Sequence, residues 1–155
     1  MIYSYHKMPE LFLLPSHSET SPYKNAGLDG ENAGFDLYVP TDVEFGPGER
    51  KMVSMGVKAV VTHDGRLCHY WMLPRSSISK MGLMMMNSVG VIDKSYRGEL
   101  IAALWNTTDK TVVVQKGQRL VQIVAGDMSD FTRVSIVDVL PESGRGEGGF
   151  GSSGS

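Results

Sequence analysis

The sequence predicts an all-β domain, a small barrel or sandwich, on three observations. Short runs rich in β-branched and aromatic residues recur about every ten residues. Glycine, proline and aspartate punctuate them at Gly46-Pro-Gly48, Asp64-Gly65 and Lys116-Gly117. A single stretch, Ser76 to Gly82, reads as a helix of about two turns, with a hydroxyl placed to cap its start. A chain of 155 residues is the size of one domain with a sizeable core, here residues 1–142, and many short strands suit a closed or two-layered architecture.

Taken in order, Leu11 to Leu14 reads as a short N-terminal strand, and residues 15–32 form a polar loop rich in turn formers. The next β-like pieces are Gly34 to Val39, Lys51 to Val61 and Leu67 to Leu73. In the second, Val53, Met55, Val57, Ala59 and Val61 alternate with more polar or smaller neighbours, the period of a half-buried strand. Met81, Met84, Met85 and Met86 form a soft apolar cluster suited to core or interface packing. Val89 to Ile92, the turn Asp93-Lys94-Ser95 and Leu100 to Trp105 read as a hairpin. The run Leu100 to Trp105 lacks polar alternation, so both its faces are expected to be buried, one against a second subunit. Thr111 to Val114, Leu120 to Ala125 and Val134 to Leu140 complete the strands.

From Ser143 to Ser155, six of thirteen residues are glycine, the composition of a flexible tail. Arg145 and Phe150 are unusual within it: one is a fork of donors suited to phosphate, the other a stacking plate. Such a tail could fold over a bound phosphorylated ligand.

The net charge of −2 and the absence of long basic runs argue against a nucleic-acid partner. No apolar run is long enough to span a bilayer as a helix, so no membrane partner is expected either, and the N-terminus lacks the pattern of a signal peptide. Cys68 is the one cysteine, which suits a reducing compartment. Asn106-Thr-Thr108 matches a glycosylation sequon but is read as a turn. His6, His17, His63 and His69 form no metal-binding spacing, so no protein-held metal is expected.

Several polar residues stand where chemistry would need them. Asp93, Tyr96 and Asn87 surround the expected hairpin, and Gly90 and Gly98 leave room for another group to approach its backbone. Arg75 offers a rigid fork for phosphate oxygens, with Ser76 at a helix start. Gln122 sits in mid-strand, where either a structural hydrogen bond or a ligand contact would explain it.

Five stretches, in order, resemble the motif set of the homotrimeric dUTPase family: Ala33-Gly-Phe-Asp-Leu-Tyr38, Pro74-Arg-Ser-Ser-Ile-Ser79, Gly90-Val-Ile-Asp-Lys-Ser-Tyr-Arg-Gly-Glu99, Gly117-Gln-Arg-Leu-Val-Gln-Ile123 and Arg145-Gly-Glu-Gly-Gly-Phe-Gly-Ser-Ser-Gly154. The resemblance implies a small β-barrel or jelly-roll whose tail, residues 143–155, closes over the active site. It implies hydrolysis of dUTP to dUMP and pyrophosphate, which keeps uracil out of DNA and supplies dUMP for dTMP synthesis. Asp93 resembles the carboxylate that activates water for attack on the α-phosphorus. Arg75, Ser76, Ser77, Gln122, Arg145, Gly151 and Ser152 correspond to phosphate-binding positions. Asn87, Gly90, Val91, Ile92, Tyr96 and Phe150 correspond to positions around uracil and deoxyribose.

The Mg²⁺ cofactor implied by the family is held mainly by substrate phosphates and water, and the implied assembly is a homotrimer with sites shared between subunits. Asp36 is given a structural role, pairing with Arg119. Ser95, Ser77, Gln118 and Ser153 depart from the usual family residues Asp, Gly, Asp and Thr. The alternatives are a dCTP deaminase of the same fold and a nucleotide-sensing trimer. The deaminase carries a catalytic Glu where this chain has Ala102-Ala103, and its tail lacks the Phe-containing motif. The expected location is the cytoplasm, or the nucleus, or a host cell if the source is viral.

Overall fold

Gly56, with φ of +64°, breaks the longest alternating run into two strands, β4 (Arg50–Ser54) and β5 (Val57–His63). The chain turns there because glycine tolerates a left-handed backbone that Val or Met would resist. The computed structural model describes residues 8–17, 21–24, 27–28, 30–144 and 146–149. Among these, the strands before the break are β1 (Glu10–Pro15), β2 (Gly34–Tyr38) and β3 (Val43–Phe45). Those after it are β6 (Arg66–Cys68), β7 (Tyr70–Pro74), β8 (Leu83–Met85), β9 (Gly90–Ile92), β10 (Ile101–Asn106), β11 (Val112–Val114), β12 (Arg119–Ala125) and β13 (Arg133–Ile136).

The fold is mostly β, with one short helix. The strands form four ladders, ordered β13-β1-β5-β6, β4-β10-β8, β11-β3 and β2-β12-β7-β9. No closed barrel is detected among the described residues. All pairings are antiparallel except β1 with β13. Alternate side chains of the ladders meet in one core: Leu11 and Leu13 of β1, Phe35 and Leu37 of β2, Val57, Ala59 and Val61 of β5, Tyr70 and Met72 of β7, Leu104 of β10 and Ile123 of β12.

The helix is a 3-10 helix, Ser76–Met81. Arg75 occupies its N-cap position and no side chain caps it, so the expected hydroxyl cap is absent. Ser79 instead donates back to the Ser76 carbonyl at 2.8 Å. Gly82 ends the helix in the left-handed region at φ +73°.

The expected hairpin from Val89 to Trp105 is also corrected. β9 pairs with β7, and β10 pairs with β4 and β8, so residues 93–100 cross from one sheet to another. Leu100 accounts for the crossing: its N–H donates to Val57 and its carbonyl accepts from Met55, which draws the chain to the β4–β5 break. β10 buries Ala102 and Leu104 in the core, while Ile101 and Trp105 are half-buried on the other face. Of the methionine cluster, Met81 ends the helix and Met84 and Met85 lie in β8; Met85 is buried, and Met84 and Met86 are exposed.

Two polar stretches serve the fold. Tyr23, in the loop after β1, is 1% exposed, and its hydroxyl donates to the Met55 carbonyl at 3.0 Å while accepting the Tyr38 N–H at 2.9 Å. Burial raises its pKa well above the ordinary phenol value. Asn106 is fully buried and donates to the carbonyls of Gly46 and Lys110, so the sequon lies in a packed turn. No helix among the described residues is long and apolar enough to cross a membrane.

Candidate active site

Strand β9 lies at the edge of its sheet, and an edge strand presents unpaired backbone donors and acceptors to whatever lies beside it. Beside it is a cavity of about 210 Å³ lined by Met72, Asn87, Gly90, Val91, Ile92, Asp93, Tyr96, Leu100, Ile101 and Gly149. The six candidate residues Asn87, Gly90, Val91, Ile92, Asp93 and Tyr96 therefore share one wall. Met72, Leu100, Ile101 and Gly149 complete it and were not singled out from sequence. Met72 was legible in principle, because period two in β7 sends it to the same face as Tyr70.

Glycines shape the cavity. A Cβ on Gly90 would sit 3.1 Å from the Met72 carbonyl oxygen, and one on Gly98 would sit 2.3 Å from the Tyr96 hydroxyl. Without that Cβ, the Tyr96 phenol folds back and donates to the Glu99 carbonyl at 2.7 Å, which fixes its ring against the cavity. The Glu99 carboxylate in turn accepts from the hydroxyls of Ser16 and Ser54, and these bonds hold its pKa below the ordinary carboxylate value.

Asp93 closes the end of β9, with its side chain 43% exposed. The Tyr96 N–H donates to the Asp93 carbonyl at 2.9 Å, forming a turn over residues 93–96. His69 stands across from it: its Nδ1 accepts the Lys94 N–H at 3.1 Å and lies 3.5 Å from Asp93 Oδ1. A neutral His69 therefore carries its ring proton on Nε2. Sequence spacing gave no signal for this neighbour.

A second group forms around Asp36. Its Oδ2 accepts from Arg75 Nη1 at 2.7 Å and from Arg119 Nη1 at 3.1 Å. One carboxylate between two guanidinium groups leaves a formal excess of one positive charge. The register between β2 and β12 shifts between Arg119 and Val121. That irregularity puts Arg119 opposite Tyr38, and so on the face of Asp36 and Gln122. Gln122 faces Asp36 across the ladder, and its Nε2 lies 3.5 Å from the Pro74 carbonyl. A Cβ on Gly34 would meet Gln122 Oε1 at 2.3 Å, so glycine there makes space for the carboxamide. Ser76 and Ser77 are exposed beside Arg75.

The two groups lie on opposite faces of one sheet. Gly90, Met72, Ile123 and Phe35 form one row of cross-strand partners, and Leu73, Gln122 and Asp36 form the next. Successive rows of a pleated sheet face opposite sides. The cavity lining accordingly includes none of Arg75, Ser76, Ser77, Gln122, Asp36 or Arg119.

Arg145, Phe150, Gly151 and Ser152 lie outside the described residues. The preceding segment is docked: Ser143 Oγ donates to the Ser95 carbonyl, the Arg97 N–H donates to the Gly146 carbonyl at 2.7 Å, and Lys58 pairs with Glu147. No group of three His, Cys, Asp or Glu side chains suited to a metal occurs among the described residues.

The dUTPase family model matches residues 26–154. The deoxyuridine 5'-triphosphate nucleotidohydrolase of Tolumonas auensis is 40% identical over 126 residues, covering 79% of this chain and 82% of the relative. That of Mycolicibacterium gilvum is 36% identical over 140 residues, covering 86% and 88%. A dUTPase structure from Streptococcus mutans aligns with a TM-score of 0.58 at 33% identity, over 76% of this chain and 92% of that one. A Staphylococcus bacteriophage 80alpha dUTPase shares the fold, with a TM-score of 0.61 at 20% identity over 94% and 98%.

Proposed function

The chain belongs to the dUTPase family and is a dUTP diphosphatase, and from that premise we propose that the cavity beside β9 holds the deoxyuridine and that Asp93 activates the attacking water. The observation that carries this reading is the single wall on which Gly90 to Asp93 and Tyr96 stand, with the carboxylate at the end of an edge strand. The backbone of β9 pairs with the polar edge of uracil, and Asn87 assists. Cytosine presents the opposite pattern at its exocyclic group and would leave buried groups unpaired, which discriminates more strongly than shape alone. The Tyr96 ring packs under the deoxyribose, where a 2′-hydroxyl would clash.

Asp93 orients a water and accepts its proton as the oxygen bonds to the α-phosphorus, while the bond from that phosphorus to the pyrophosphate oxygen breaks. The products are dUMP and pyrophosphate. The family uses Mg²⁺. The donor chemistry here suits an ion that arrives on the substrate: Asp36 already serves two arginines, and no carboxylate cluster accompanies Asp93 among the described residues. An ion on the triphosphate lowers the repulsion between phosphate charge and the attacking oxygen.

Arg75, Ser76 and Gln122 bind the triphosphate, with Arg119 and Asp36 holding the arginine fork in place. Arg145, Gly151 and Ser152 add phosphate contacts, and Phe150 stacks on the base as the tail closes. The phosphate group of residues belongs to a neighbouring copy in a homotrimer. Two observations support this: the opposite faces taken by the two groups, and an apolar face on the sheet β4-β10-β8. There Met52, Met84 and Met86 are 51%, 52% and 41% exposed around half-buried Trp105 and Ile101, an apolar surface of the kind a partner subunit covers.

The test is product release from dUTP, dCTP, dTTP and UTP with Mg²⁺. Pyrophosphate and dUMP from dUTP alone support the reading. Ammonia from dCTP would transfer the chain to the deaminase, and tight dUTP binding without turnover would make it a sensor.

A further inference from the structure

Strand β9 leaves its ladder just before the carboxylate that the reaction needs. The last pair between β7 and β9 is Tyr70 with Ile92, so Asp93 is the first residue beyond it. The peptide that follows Asp93 is held by a side chain instead. Its N–H, that of Lys94, donates to His69 Nδ1 at 3.1 Å, and its carbonyl, that of Asp93, accepts the Tyr96 N–H at 2.9 Å. The peptide unit is planar, so holding both of its polar ends fixes the backbone rotation at Asp93 that precedes it.

The imidazole can act as an anchor because its own backbone is fixed. His69 precedes Tyr70, which is buried between Ala125 of β12 and Ile92 of β9 and donates its hydroxyl to the Ala59 carbonyl at 3.1 Å. The His69 carbonyl lies against Gly126, where a Cβ would sit 2.9 Å from its oxygen. The Asp93 side chain is 43% exposed, so packing does little to aim it and the backbone beneath it matters more. Nδ1 also lies 3.5 Å from Asp93 Oδ1. While that nitrogen accepts from Lys94 it carries no proton, so the ring steadies the loop without donating to the carboxylate that must take a proton from water.

We propose that His69 is a positioning residue: by accepting the Lys94 N–H it fixes the peptide after Asp93 and so aims the carboxylate at the attacking water. Aim matters because a misplacement of about 1 Å can cost on the order of 10²-fold in rate. The role requires one acceptor at the place of Nδ1. Asparagine supplies it, since its Oδ1 stands two bonds from Cβ as Nδ1 does. Phenylalanine keeps a ring of similar size and offers the N–H no acceptor, and leucine offers none either. The inference rests on Asp93 being the base, and that premise fails separately if the Asp93→Asn variant retains turnover.

The experiment measures kcat and KM for dUTP in His69→Phe, His69→Leu and His69→Asn, each in the full chain, with thermal unfolding alongside. The Phe and Leu variants are expected to melt cooperatively, with kcat lowered about tenfold and KM changed less than about threefold. His69→Asn is expected to recover kcat to within about threefold of wild type. Unchanged kcat in a folded Phe or Leu variant would overturn the proposal. Equal losses in the Asn and Phe variants would also overturn it, since an acceptor at that place would then not be what matters. A raised KM at full kcat would make His69 a binding contact instead. Failure of both Phe and Leu variants to fold would make His69 a requirement of the fold and would overturn it as well.

Discussion

The cavity beside β9 and the arginine group around Asp36 are built in opposite ways. The cavity is made of an edge strand, glycines and apolar side chains: Gly90 and Gly98 open it, and among the described lining residues Asn87, Asp93 and Tyr96 bring the polar side chains. The arginine group is made of side chains organised by one carboxylate. A flat uncharged base is best read by fixed backbone donors and acceptors, whereas a triphosphate is best met by forked cations. The pleat of β7 separates the two, sending Met72 to one face and Leu73 to the other. In the proposed trimer, each chain then supplies the nucleoside half of one site and the phosphate half of another.

The largest expected effect breaks the chemistry on the cavity side. Asp93→Asn should lower kcat by about 10²–10⁴-fold with KM nearly unchanged, as expected for loss of a general base. Steady-state pyrophosphate release measures this, and a tenfold rise in KM at full kcat would show instead that Asp93 only binds.

Next comes the shape of the cavity. In Gly98→Ala the new methyl would meet the Tyr96 hydroxyl, so the ring should be displaced. The preference for dUTP over UTP in kcat/KM should then fall by roughly tenfold, about 1.4 kcal/mol. An unchanged ratio would remove Tyr96 from sugar selection.

On the other face, Asp36→Asn leaves Arg75 and Arg119 without their shared carboxylate. A several-fold rise in KM is expected, with a stability loss of about 1 kcal/mol after allowing for solvent screening. If turnover and denaturant midpoint both match the wild type, Asp36 has no organising role.

The smallest effect concerns Glu99, whose folded pKa is lowered by the hydroxyls of Ser16 and Ser54. A lowered folded pKa means stability that is present above the unfolded value, near 4.5, and is lost as pH falls through the folded value. Wild type should exceed Glu99→Gln by less than about 1 kcal/mol at pH 7, and the two should converge as pH falls through the folded value. A gap independent of pH would contradict this.

Much of the strand content was legible because alternation reports burial directly, as in Val53, Met55, Val57, Ala59 and Val61, all of them buried. What was missed has identifiable causes. The crossing of residues 93–100 depends on Leu100 bonding to Met55 and Val57, which local pattern does not encode. β8 was hidden because methionine packs in any element. Residue types pointed to Asp93, Tyr96 and Arg75 as candidates, and the family motifs grouped them with Asp36 and Gln122. Their division between two faces requires the register. The placement of Arg119 requires the irregularity before Val121, which breaks the very period that sequence reading relies on. His69 acts through a backbone group, and nothing in its spacing marks it.

In the proposed trimer one catalytic site draws on two chains. Co-expression of an Asp93→Asn chain with an Arg75→Ala chain, both impaired alone, is the decisive test. Random mixing in a cyclic trimer should restore about one quarter of wild-type sites, each pairing an intact Asp93 with a neighbour's intact Arg75. Native mass spectrometry identifies the mixed assemblies. Mixed trimers with no activity beyond that of the parents would mean that each chain completes its own site.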